Sequence, residues 1–101
     1  MTIQFNEECE ATPESVGLSS KKLANLYNLA EGYVTSGKMP GIVCMVARDG
    51  KVVYQSRHGN MDDEAARPMQ LDTIFRIYSM TKPIASVGLM RLYEEGLFQL
   101  D

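Results

Sequence analysis

The chain has 101 residues, 45% of them hydrophobic and 23% charged, the make-up of one soluble globular unit rather than a disordered or membrane-spanning chain. A net charge of -3 with dispersed Lys and Arg supplies no electrostatic reason to approach nucleic acid or an anionic membrane, so neither partner is expected. Residues 1–10, MTIQFNEECE, carry acids where a signal peptide has a basic start and lack its apolar run, so a cytoplasmic location is expected. Cys9 and Cys44 fit no metal-ligand spacing and read as thiols of a reducing compartment.

The first element expected is a helix. Ser19 can cap the free N–H groups of a first turn, with Leu18 and Leu23 placed as a hydrophobic staple. Leu23, Leu26, Tyr27, Ala30, Tyr33 and Val34 recur at three- and four-residue steps to about Ser36, and Gly37 is positioned to end the run. One face of that helix requires a sheet. Ile42–Ala47 and Lys51–Gln55 are β-prone runs joined by Asp49-Gly50, a type I′ hairpin signal. Asn60–Asp72 holds five charged residues and Pro68 without sustained period, and is expected to be an exposed connection.

Met80–Glu95 then reads as a second helix, stopped by Gly96. Pro83 lacks an N–H and clashes with the carbonyl four residues back, so it belongs in a first turn and places the helix start near Ser79 or Met80. Between Ile84 and Tyr93 the polar side chains are Ser86 and Arg91. A helix with so little solvent face belongs inside something larger. A hairpin and one other helix cannot cover it, so residues 1–101 are expected to be the N-terminal portion of a single larger domain, or to pair with another chain.

Ser79-Met80-Thr81-Lys82 is a Ser-x-x-Lys tetrad whose helical spacing sets the hydroxyl and the ammonium one turn apart on one face. A serine attacks a carbonyl once a base takes its proton, and lysine serves as that base when desolvated. Lowering a lysine from about 10.4 to roughly 7 corresponds to about 4.6 kcal/mol of differential solvation, which an apolar site imposes and a surface does not. The Ser79 N–H at a helix start is a candidate first donor of an oxyanion hole. Spacing alone is weak evidence, because Ser19 and Lys22 repeat it where a capping role suffices.

No Gly-x-Ser-x-Gly elbow or phosphate-cradling glycine loop occurs. The single histidine, His58, reads as a plain surface residue at a strand end. Met80 and Met90 read as core filler, and Asp62-Asp63-Glu64 as a solvated loop rather than a metal site; no cofactor is expected.

From Pro13 onward the chain resembles the serine β-lactamase-like superfamily, and within it most resembles the family VIII carboxylesterases, relatives of class C β-lactamases. The resemblance rests on PESVGLS at Pro13–Ser19, Pro40-Gly41 before the hairpin, and above all TIFRIYSMTKP at Thr73–Pro83 followed by LYEEG at Leu92–Gly96. It implies an α+β, β-lactamase/transpeptidase-like fold, of which this chain supplies the first helix, a hairpin and the nucleophile-bearing helix. It further implies Ser79 as the nucleophile of an acyl-enzyme and Lys82 as its proton carrier. A tyrosine from a Tyr-x-Asn-like motif and a third, strand-borne motif complete such sites, and neither occurs in this sequence.

The expected activity is a carboxylesterase cleaving short-acyl esters, with a small-molecule ester as substrate and further C-terminal polypeptide of the same enzyme as its necessary partner. The alternatives are a β-lactamase or D-Ala-D-Ala peptidase-like hydrolase, or a non-catalytic truncated fragment.

Overall fold

The structure, a computed structural model, describes residues 9–101; the reading of the N-terminal sequence falls largely on residues 1–8, outside the described residues. Pro13–Val16 forms a 3-10 turn that ends at Gly17 in the left-handed conformation. It leads into helix α1, Ser20–Thr35, with Ser19 as the N-cap. The Ser19 hydroxyl accepts the Lys22 N–H at 3.3 Å, and the Glu14 carboxylate accepts the Ser20 N–H at 2.8 Å. Two of the orphan donors of the first turn are thereby satisfied. At the far end Gly37 N–H bonds to Val34 O and Lys38 N–H to Tyr33 O. This Schellman arrangement requires the positive φ of 73° at Gly37.

Strands β1, Gly41–Arg48, and β2, Lys51–Asp62, pair antiparallel. Asp49 and Gly50 have φ of 53° and 73°, the two positive angles that a type I′ turn needs. The register runs Arg48 to Lys51 and Ala47 to Val52, then skips, so that Val46 faces Tyr54 and Val53 is the extra residue of a bulge. A regular strand would send Val53 and Tyr54 to opposite faces. With the bulge, both are fully buried, which for the valine is worth about 1.5 kcal/mol or more over exposure.

Farther along the ladder Gly41 faces Gly59. A Cβ on Gly59, whose φ is +68°, would run into the Pro40 carbonyl and the Val34 side chain, and one on Gly41 into the Asn60 carbonyl and the Met69 methyl. The absent side chains let the end of α1 and the strand ends close together.

β2 outruns the expected Gln55, and a further two-residue strand, β3 (Arg67–Pro68), pairs with its end, giving the order β1-β2-β3. The expected exposed connection is corrected here in part. A turn containing Ala66 at φ 49° returns the chain, and Met69 behind it is buried. Asp62, expected in a solvated loop with Asp63 and Glu64, is instead the last residue of β2 and braces that turn: its carboxylate accepts from Arg67 at 2.7 Å and from the Ala65 N–H at 3.1 Å.

α1 lies against β2, and the core between and beside them contains Val16, Ala30, Val53, Tyr54 and Met69. Residues 74–97 are all exposed, Met80 and Met90 among them, so the core role expected for those two methionines is not filled by the described residues. Within that stretch helix α2, Thr81–Glu94, has no buried residue, and Ile84, Val87 and Leu89 are each more than half exposed. The radius of gyration of 18.1 Å exceeds the roughly 13 Å of a compact chain of this length. The architecture is α+β, a sheet covered by one helix with a second, uncovered helix, as the sequence pattern implied. Among the described residues no helix is long and apolar enough to cross a membrane.

Candidate active site

Two groups of chemically capable side chains stand out. The first lies where the chain enters α2. Ile77 has φ -99° and ψ 1°, in the sparsely allowed bridge region. Tyr78 follows at φ 45°, and Tyr78–Met80 forms a 3-10 turn that leads directly into α2 at Thr81. The Met80 N–H bonds to Ile77 O at 3.0 Å, and the Thr81 N–H to Tyr78 O.

Ser79 is therefore the middle residue of the turn, and Lys82 is the second residue of α2. Pro83 sits third in the helix, within the first turn, where its missing N–H interrupts no bond between residues of α2. The helix starts within two residues of the position that Pro83 dictates. Ser79 and Lys82 thus occupy adjoining turns, three residues apart, and both are exposed. The apolar enclosure that a lysine base requires is not built by the described residues. The second Ser-x-x-Lys pair behaves as the sequence implies, because the Ser19 hydroxyl is engaged as the cap of α1.

The second group is one that sequence reasoning missed. His58, expected at the surface, is 3% exposed: β2 continues past Gln55 and turns this residue inward beneath α1. Its Nδ1 lies 2.6 Å from the Glu31 carboxylate of α1, and its Nε2 lies 3.0 Å from the Ser56 hydroxyl. The Tyr54 hydroxyl donates to Ser56 Oγ at 2.8 Å. With its proton on Nδ1, His58 donates to Glu31 and accepts from Ser56, so each proton in the chain has one acceptor. The Tyr27 ring meets the imidazole edge-on at a centroid distance of 4.6 Å.

Burial holds the Tyr54 phenol above its ordinary pKa, against the lowering effect of its bond with Ser56. Both His58 nitrogens are engaged, so this histidine is not a free base for Ser79. The signal in the sequence was the alternation Tyr54, Ser56, His58, one face of a strand longer than the apolar run suggested.

Comparison with known proteins agrees with this architecture. The family model described as Beta-lactamase matches residues 26–101. Esterase EstB of Burkholderia gladioli is 44% identical over 64 residues, which is 63% of this chain and 16% of that protein. The mitochondrial serine beta-lactamase-like protein LACTB of Homo sapiens is 40% identical over 62 residues, 61% of this chain and 11% of that protein. Acyltransferase mokF of Monascus pilosus is 34% identical over 90 residues, 82% of this chain and 22% of that protein. The chain thus spans under a quarter of the length of each of these relatives. The match of the family model over residues 26–101, on a chain that places its Ser-x-x-Lys tetrad at a helix start, establishes that this protein belongs to the Beta-lactamase family.

Proposed function

We propose that the chain is the nucleophile-bearing part of a serine hydrolase, a carboxylesterase that cleaves short-acyl esters through an acyl-enzyme on Ser79. One observation carries this reading: a serine and a lysine in adjoining turns at the start of an apolar helix, in a chain of this family that is similar to a protein named as an esterase.

In the proposed reaction Ser79 Oγ bonds to the ester carbonyl carbon while its proton passes to neutral Lys82. Negative charge builds on the carbonyl oxygen, with the Ser79 N–H as first donor. The tetrahedral species collapses, the proton passes from Lys82 to the departing alcohol, and water later releases the acid and restores Ser79.

Lys82 functions once it is removed from water, and Ile84, Val87 and Leu89 expose apolar surface on the same helix. Further C-terminal polypeptide of the same protein is the proposed cover for α2 and the proposed source of the remaining site groups. Discharge of the acyl group to an alcohol instead of water is a second reading, favoured by the similarity to a protein named as an acyltransferase.

The test is turnover of a short-chain chromogenic ester by the protein as its gene encodes it, with and without an added acceptor alcohol, and in parallel turnover of a chromogenic cephalosporin. Ser79→Ala is expected to lower ester turnover by at least about 10³-fold, and mass spectrometry to find the acyl group on the peptide containing Ser79. Turnover by Ser79→Ala at the wild-type rate would refute the assignment. Cephalosporin turnover without ester turnover would move the activity to the β-lactamase alternative.

A further inference from the structure

The conformation of the residue before Ser79 calls for an explanation that the proposed reaction does not include. Eight described residues have positive φ. Five are glycines, and the other three are Asp49, Ala66 and Tyr78. Asp49 occupies the type I′ turn between β1 and β2, and Ala66 the turn between β2 and β3. Tyr78 opens an element instead of joining two strands, and it carries a bulky side chain, for which the left-handed region is strained.

No packing of that side chain offsets the strain among the described residues, because Tyr78 is 80% exposed. A glycine would take the same backbone without cost. The strain is also not isolated, since Ile77 in the bridge region immediately precedes it. Two sparsely populated conformations in succession redirect the chain, so that the 3-10 turn begins at Tyr78 and Ser79 comes second in it. Backbone strain of this kind persists where surrounding structure holds it, and it concentrates at working sites.

We propose that Tyr78 is a positioning residue for Ser79, acting through its left-handed backbone and not through its ring; this rests on the reading of Ser79 as nucleophile. The reversal at Tyr78 presents the serine at the head of α2, ahead of the turn that holds Lys82. A residue that resists positive φ would rotate Ser79 away from the line of attack while leaving substrate affinity largely intact.

Three substitutions in the protein as its gene encodes it separate backbone from ring. Tyr78→Gly and Tyr78→Asn remove the ring but accept the left-handed region, whereas the β-branched Tyr78→Val removes the ring and resists it. With a short-chain p-nitrophenyl ester, the burst of nitrophenol is expected to stay within about threefold of wild type for Gly and Asn. For Val it is expected to slow by about tenfold, in line with the strain of a left-handed residue, with KM changed less than kcat.

Equal losses in Gly, Asn and Val would overturn the proposal in favour of the ring, and a Val variant as fast as wild type would show that the backbone conformation is immaterial. Should the Val variant fail to fold, a tenfold loss in the Gly variant still overturns it. Ser79→Ala, assayed alongside, reports on the nucleophile assignment separately, since it leaves residue 78 unchanged.

Discussion

Replacing His58 with alanine tests the packing of α1 on the sheet. The substitution removes the two hydrogen bonds of the imidazole, to Glu31 at 2.6 Å and to Ser56 at 3.0 Å, each worth about 1 kcal/mol net. It also removes the edge-on contact with Tyr27, worth about 0.5–1.5 kcal/mol, for an expected total of about 3 kcal/mol.

The parts are unequal. The Glu31 side chain is 44% exposed, so water replaces its lost partner, and Glu31→Gln is expected to cost about 1 kcal/mol or less. Ser56 is buried, so Ser56→Ala, which takes away the hydroxyl that meets His58 Nε2 at 3.0 Å, is expected to cost about 1–3 kcal/mol. Urea unfolding followed by far-UV circular dichroism measures all three, with the slope unchanged if the unfolded surface is the same. A His58→Ala variant within about 0.5 kcal/mol of wild type would refute the reasoning. So would a Glu31→Gln variant costing more than His58→Ala, since it would mean that the exposed partner carries the interaction.

Two further outcomes follow from the loops. Glu14 is held below the usual carboxylate range by hydrogen bonds from Ser20, its side chain first and its backbone N–H second, and Asp62 likewise by Arg67 first and the Ala65 N–H second. A carboxyl with a depressed folded pKa contributes stability above its unfolded value, about 4, and loses it as pH falls through the folded value. Unfolding midpoints should therefore decline below about pH 4, and Glu14→Gln with Asp62→Asn should flatten that decline. Gly59→Ala is expected to cost about 3 kcal/mol or more, because the new methyl meets the Pro40 carbonyl and Val34 at a backbone of positive φ; an unchanged melting temperature would contradict the close approach.

The elements legible in the sequence are those announced by short-range chemistry. Ser19 and Gly37 mark the ends of α1, Asp49-Gly50 marks the hairpin, and Pro83 marks the start of α2, each acting within one turn of its own position. What could not be read depended on distant partners. Tyr54, Ser56 and His58 have the polar alternation of a solvated face, and that face becomes internal where α1 packs on β2 and brings Glu31 and Tyr27 against His58. β3 is two residues long, too short for any period to appear. The place of Ser79 and Lys82 was legible because Pro83 and the helix spacing set it locally. An enclosure for Lys82 is not a local property, and no pattern in this chain encodes it.

The bulge at Val53 has a consequence for how the hairpin tolerates changes in length. Losing one residue at that point would restore an ordinary ladder while Tyr54, Ser56 and His58 kept their places opposite Val46, Cys44 and Ile42. Losing one between Gln55 and Arg57 would instead flip the phase of one side of the gap, exchanging inward for outward side chains. The strand thus has one position where a gap preserves the pairing of the polar chain, and alignments of related hairpins should place their deletions there, next to the turn and away from His58.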